Sequence, residues 1–375
     1  MRVLLFHFAQ LGGLGGVEVA VVTLADSLRR RGFPAGITEI APERTPLRVS
    51  SSGIPVWSVT SPSYPNLWHP RSWASFTRSV IEFQKALREF RPDIVHVHYP
   101  VAQCLPMVGA SLFSHKWKLI VTVHNSDIRV SPVQEPELRT WQRRLFARAD
   151  ALTAVSQSLL DDAAQLYADF RSKGQVVHNG VGPEWFQLPL ERESKTDYVL
   201  FAGRLHTVKG VDLLLTAWKA VSPRFPRTEL WIIGDGPEKQ NLEDLAGELG
   251  LSTVRFLGPK PPPELPTFYR DARAVVLPSR REGLPISLLE AGACGAICIG
   301  SDTPGIPEII EEGITGHVVA VESPEDIAKA ISRVLELSPE RFGKMREAAR
   351  GRIASRFSER GMIEKYLLAY QALLN

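Results

Sequence analysis

Ala274-Val275-Val276-Leu277-Pro278-Ser279-Arg280-Arg281-Glu282-Gly283-Leu284-Pro285-Ile286-Ser287-Leu288-Leu289-Glu290-Ala291 reads as one strand, one loop and the opening of one helix. Ala274 to Leu277 are apolar without alternation, which suits a strand buried on both faces. Pro278 to Arg281 form the loop. Pro285 is expected in the first helical turn, where its missing N–H costs little. Glu290 then lies about one and a half turns further in. Glu282 and Glu290 can face one small ligand from different heights. Carboxylates accept hydrogen bonds from hydroxyls, so the pair suits a sugar and a ribose. The plainer alternative is two solvated charges at a helix start, where the dipole favours them.

Working outward, the same strand–loop–helix unit recurs through the chain. Strands are expected at Val3–Phe8, Ala35–Ile40, Pro55–Val59, Ile94–Val97, Leu119–Val123, Ala151–Val155 and Gln175–Val177. Helical spacing lies between most of them, as at Glu18–Arg31, Trp73–Phe90 and Glu137–Arg148. The alternation restarts at Tyr198–Ala202. It runs on through Leu230–Ile233, Val254–Leu257, Ala274–Leu277, Ile297–Ile299 and His317–Val319. Alternating strands and helices imply parallel sheets covered on both faces. The expected fold class is therefore α/β, with two doubly wound Rossmann-like domains and a cleft between them. The boundaries fall at 1–185, 186–355 and 356–375, the last being an amphipathic helix with Met362, Tyr366, Leu367, Tyr370 and Leu374 on its apolar face. In such sheets ligands bind outside the carboxyl ends of the strands.

Composition narrows the classes. The chain has 375 residues, 44% hydrophobic and 23% charged, which is ordinary for a globular protein of about two domains. A net charge of +3 gives no argument for nucleic acid. Cys104, Cys294 and Cys298 sit in apolar surroundings, and an odd, sparse set argues for a reducing cytosol and against a disulfide framework. Core packing suits Cys294 and Cys298 better than metal ligation, since no Cys/His pair follows at usable spacing. The N-terminal apolar run is too short for a signal peptide and reads as a strand. No run approaches the ~18 apolar residues of a membrane span.

Four further places could carry chemistry. Gly12 to Gly16, before Val17 and Glu18, form a glycine-rich turn that opens a helix and can admit an anion or a ligand. It fails as a dinucleotide fingerprint, because Glu18 stands where the third glycine should be. Gly203-Arg204-Leu205-His206-Thr207-Val208-Lys209-Gly210 follows a strand and opens a helix. Arginine offers a planar fork to phosphate and lysine a point charge, so Arg204 and Lys209 could hold a diphosphate without metal. No D-x-D pair is present to carry a divalent cation. His124 stands just past the strand Leu119–Val123, where a ring nitrogen could meet a sugar hydroxyl or polarise a reacting group; a satisfied loop histidine is the alternative. His96 and His98, within or beside a strand, read as structural.

Together these residues resemble the retaining glycosyltransferases of family 4, with the GT-B fold. The resemblance spans the chain: Gly15-Gly16-Val17-Glu18, His124, Val155-Ser156, His178-Asn179-Gly180-Val181, Gly203-Arg204 with Lys209-Gly210, Gly234-Asp235-Gly236-Pro237, Glu282 with Glu290, and Ser301–Glu308. It implies that the C-terminal domain binds a nucleoside-diphosphate sugar as co-substrate, with no other cofactor. Arg204 and Lys209 would hold the diphosphate, Glu290 the ribose, and Glu282 a donor-sugar hydroxyl beside the amides of Gly283 and Leu284. His124 would contact the donor sugar near its reacting carbon. Gly15 and Gly16 would approach the phosphates or the acceptor, and the last helix would cross back to the first domain. Two departures touch sugar positioning: Pro304-Gly305 replaces the family's frequent glycine pair, and Pro285 removes an amide near Glu282.

The implied reaction moves a sugar to an acceptor hydroxyl, small-molecule, sugar or lipid-linked, with retention at the anomeric carbon and without metal. A sugar-nucleotide epimerase or hydrolase of the same architecture is the rival enzyme, and an inactive sugar-nucleotide-binding module is the rival outside catalysis. The expected location is cytoplasmic. Peripheral contact with the inner face of a membrane stays open. Arg29 to Arg31, Trp141 with Arg143, Arg144, Phe146 and Arg148, and Tyr64, Trp68, Trp73 and Phe76 could meet anionic lipid, or they could be solvated arginines and core aromatics.

Overall fold

The computed structural model describes residues 1–9, 11, 15–42, 47–50, 53–61, 70–111 and 116–375. The chain divides into two compact units, one of Met1–His178 with Met362–Asn375 and the other of Asn179–Gly361. These divisions lie a few residues from the sequence boundaries at 185/186 and 355/356.

In the first unit the strands are β1 (Val3–His7), β2 (Ala35–Ala41), β3 (Arg48–Val49), β4 (Pro55–Thr60), β5 (Ile94–His98), β6 (Lys118–Val123), β7 (Ala151–Ala154) and β8 (Gly174–Val176). They form one sheet in the order β3-β4-β2-β1-β5-β6-β7-β8. All its pairs are parallel except β3 with β4. β1 and β5 are buried at every residue, as a sheet covered on both faces requires. The chain order reverses between β1 and β5, so a crevice opens beyond their carboxyl ends. The C-terminal helix Glu359–Leu374 closes one side of this core: Met362, Ile363, Tyr366 and Tyr370 pack with Val3, Leu5, Ile94 and Ile120. Burying each such apolar side chain contributes about 1.5–3 kcal/mol.

The second unit has β9 (Asp197–Ala202), β10 (Thr228–Ile233), β11 (Val254–Gly258), β12 (Ala274–Leu277), β13 (Cys298–Ser301) and β14 (Gly316–Val319). Their order is β11-β10-β9-β12-β13-β14, and every pair is parallel. This is the doubly wound order, reversing between β9 and β12. The loops that follow these two strands are Gly203–Gly210 and Pro278–Pro285, so both carboxyl-end loops of the switch point carry residues singled out in the sequence. Pro285 differs slightly from expectation. It caps the helix Ile286–Ala293 from outside, with ψ at 115°, because its extended backbone turns the chain into the helix one residue later. The three cysteines are buried and free.

Candidate active site

The two loops of the second unit are knitted together by Arg280. Its backbone N–H donates to the Val208 carbonyl (2.8 Å). Its guanidinium donates to the Thr207 carbonyl (2.7 Å), to both Asp212 oxygens (2.9 and 2.7 Å) and to Glu322 (3.0 Å). The charge-assisted bonds to Asp212, first, and to Glu322 hold the guanidinium pKa above its ordinary value. Gly210 closes the same junction. It takes φ +67°, and a Cβ there would meet the Pro278 carbonyl oxygen at 2.1 Å, so only glycine fits. The Lys209 backbone is thereby fixed at the mouth of helix Val211–Val221.

Lys209 and Glu282 meet: Nζ lies 2.7 Å from Oε1. Ser279 donates its hydroxyl to the same oxygen at 2.6 Å. Glu282 is 7% exposed, and a carboxylate so placed is kept by partners of this kind. An ammonium has three N–H groups, so Lys209 can bond Glu282 and an anion together. Arg204 stands on the same loop, exposed, with no ion pair to its guanidinium among the described residues. Leu284 is buried, and the Gly283 carbonyl passes against the loop that follows β13. There Gly305, at φ +95°, leaves no room for a side chain: a Cβ would sit 1.8 Å from the Gly283 oxygen. The proline–glycine variant thus keeps the glycine that the packing needs.

Glu290 lies in helix Ile286–Ala293, partly buried. Burial pushes its carboxyl up to about 8; the Tyr269 hydroxyl, 3.4 Å from Oε2, opposes this and the Glu184 charge adds to it. A group bringing hydroxyl donors would favour its ionised form.

The first unit gathers a different set. Gly15 and Gly16 are exposed at the start of helix Gly16–Arg30, and a Cβ on Gly15 would meet nothing within 4 Å. Gly12 and Gly13 lie outside the described residues. His124 follows β6. The Asp127 carboxylate accepts its backbone N–H (3.0 Å) and that of Asn125 (2.6 Å). Gln142 anchors this turn by donating to the carbonyls of Asp127 and Pro100, both at 2.7 Å. His124 Nε2 lies 3.0 Å from Nδ1 of His98, the last residue of β5. Burial pushes His124 down to about 3, with the His7 charge adding to the shift. His96, two residues before His98, bonds Tyr370 (2.7 Å) and Thr122 (2.6 Å) and is likewise pushed down to about 3 by burial.

The structure therefore joins Lys209 to Glu282, gives Glu290 to Tyr269 and His124 to His98, and leaves Arg204 exposed. Ser279, Arg280, Tyr269, Asp127 and His98 were not singled out by sequence reasoning as site residues. For His98 the sequence shows the alternation but not the register that sets it beside Thr122 and His124. In neighbouring in-register strands, His96-Val97-His98 and Thr122-Val123-His124 put alternate side chains on one face. Among the described residues, no group of three or more His, Cys, Asp or Glu side chains is placed to share a metal ion.

Two doubly wound units of this topology make the chain a GT-B protein. It superposes over its whole length on a sucrose-phosphate synthase from Thermosynechococcus elongatus (TM-score 0.82, 19% identity, 99% of that chain covered). It also matches HepE of Anabaena in complex with UDP and glucose (TM-score 0.79, 18% identity, 99% of this chain and 100% of that one). A family model described as Glycosyltransferase Family 4 matches residues 14–185, and one described as Glycosyl transferases group 1 matches residues 186–352. The chain belongs to glycosyltransferase family 4. Its relatives include a D-inositol 3-phosphate glycosyltransferase of Actinosynnema mirum, 29% identical over 391 residues, covering 96% of this chain and 92% of that one. Another, from Corynebacterium jeikeium, is 28% identical over 353 residues, covering 86% and 84%.

Proposed function

We propose that this chain transfers a sugar from a nucleoside-diphosphate sugar to an acceptor hydroxyl, with retention of anomeric configuration and without a metal ion. The observation that carries the proposal is the Lys209–Glu282–Ser279 cluster beside Arg204, at the carboxyl ends of β9 and β12. Arg204 and Lys209 bind the diphosphate. Negative charge grows on it as the glycosidic bond breaks, so the two cations bind the transition state more tightly than the ground state. Glu290 accepts from the ribose hydroxyls. Glu282 accepts from a donor-sugar hydroxyl, with the amides of Gly283 and Leu284 alongside. His124 bonds the sugar near its reacting carbon, and Gly15 and Gly16 admit phosphate or acceptor. UDP and glucose in HepE support a nucleoside diphosphate in this role.

Mass-spectrometric product analysis over a panel of nucleotide-sugars, with and without candidate acceptors and with excess EDTA, tests the proposal. The expected products are glycosylated acceptor and free nucleoside diphosphate, formed unchanged in EDTA. Equal turnover without acceptor marks a hydrolase, isomerised donor an epimerase, and binding without turnover an inactive module. Loss in EDTA restored by magnesium or manganese contradicts the metal-free account.

We further propose peripheral association of the first unit with an anionic membrane surface from the cytoplasmic side. Helix Pro70–Phe90 exposes Trp73 (42%) and Ile81 (55%), which line one groove with Ala74, Thr77, Arg78 and Glu82. Phe76 touches both Trp73 and Trp141, and the Arg144 guanidinium lies 4.9 Å over the Trp141 ring. Aromatic bodies beside arginines suit a headgroup layer. Tyr64 and Trp68 lie outside the described residues. Among the described residues no helix is long and apolar enough to cross a membrane. Sedimentation with phosphatidylglycerol vesicles should fall severalfold for Trp73→Ala with Arg144→Glu. Equal sedimentation with purely zwitterionic vesicles would remove the electrostatic part.

A further inference from the structure

His98 and His124 are both buried, at 2% and 6% exposure. Burial is the first cause that lowers the pKa of each, His98 well below the ordinary imidazole value and His124 to about 3. Each ring near neutral pH therefore carries one N–H, and the 3.0 Å contact between His98 Nδ1 and His124 Nε2 needs one donor and one acceptor.

Two arrangements satisfy that contact. In one, His98 carries its proton on Nδ1 and donates it, leaving a bare lone pair on Nε2. In the other, His124 donates from Nε2, and the His98 proton must sit on Nε2. That nitrogen is buried and has no hydrogen-bond partner. A buried N–H without an acceptor is rarer and costlier than a buried lone pair without a donor. The first arrangement wins.

We propose that His98 is a positioning residue that donates from Nδ1 to His124 Nε2, fixing His124 as its Nδ1–H tautomer. His124 then has only Nδ1 to offer a ligand, and offers it as a hydrogen-bond donor. It meets an oxygen of the donor sugar rather than abstracting a proton from the acceptor. The ligand half rests on the sugar-contacting role proposed above for His124. The His98–His124 half does not. The backbone is already held by Asp127, so the proton's position is what His98 adds.

The test uses the full chain with 15N-labelled histidine and two-bond 1H–15N correlation spectra near pH 7. The signals absent from His124→Asn identify the ring. The expected pattern in the unaltered protein is a proton on Nδ1 of His124; a proton on Nε2 overturns the proposal. In His98→Leu the Nε2–H form should appear, with turnover down by about threefold to tenfold, the worth of one neutral hydrogen bond. An unchanged tautomer in that variant also overturns it. If the tautomer pattern is as expected but His124→Ala keeps full turnover, the sugar role of His124 is what falls.

Discussion

Lys209 and Glu282 stand 2.7 Å apart as an ion pair; His98 and His124 stand 3.0 Å apart as neutral rings. The first pair sits on loops beyond the strands, with Arg204 exposed nearby and Lys209 able to add a partner. The second sits at strand ends, where His98 Nε2 is buried without a hydrogen-bond partner. The contrast separates two tasks. One region is suited to grip a ligand whose charge changes. The other is suited to present one fixed donor without charge. Low dielectric strengthens both, but only the first gains as negative charge develops.

The largest effect that would break this contrast lies in the cations. Arg204→Ala or Lys209→Ala should lower turnover at saturating donor by about two to three orders of magnitude, the scale of losing one transition-state charge partner. Melting temperature should barely move for Arg204→Ala, since an exposed cation contributes little to stability. Near-normal kcat in both would end the diphosphate assignment. His124→Ala should cost less, about tenfold to a hundredfold, because it removes a neutral donor rather than a charge.

The two glutamates sharpen the contrast within the second unit. Glu290→Ala should weaken both nucleoside diphosphate and nucleotide-sugar, by about tenfold for a hydrogen bond to a charged acceptor. Glu282→Ala should spare the free nucleotide and harm the sugar-bearing one. Calorimetric titration of both ligands against both variants reads this directly, and equal losses everywhere would erase the division. The smallest effect is in pH. Burial holds the Glu290 carboxyl up to about 8, so near neutrality it carries a proton. Ribose hydroxyls donating to Glu290 would favour the carboxylate, so their binding should release that proton. Affinity should therefore fall as pH drops below about 8, by at most tenfold per unit, and Glu290→Gln should flatten the profile.

Sequence reasoning reached these regions unequally, for physical reasons. Unbroken apolar runs such as Ala274–Leu277 announce parallel strands, and the loops after them sit at carboxyl ends by topology alone. Arg204, Lys209, Glu282 and Glu290 could thus be named in advance. The two-residue strand β3 gave no periodicity to read. Arg280 looked like a loop cation because its partners Asp212 and Glu322 are far away in sequence. His98 looked structural because one strand shows its own alternation but not its neighbour's register. Tyr269 over Glu290, and with it the raised carboxyl, exists only once helix Leu265–Asp271 is placed.

The division of labour is tested most directly by measuring nucleoside diphosphate affinity and sugar transfer side by side in Arg204→Ala and His124→Ala. The account predicts that Arg204→Ala loses both, while His124→Ala binds the free nucleoside diphosphate as the unaltered protein does and loses only transfer. Normal nucleoside diphosphate binding by Arg204→Ala, with loss in His124→Ala, would contradict it.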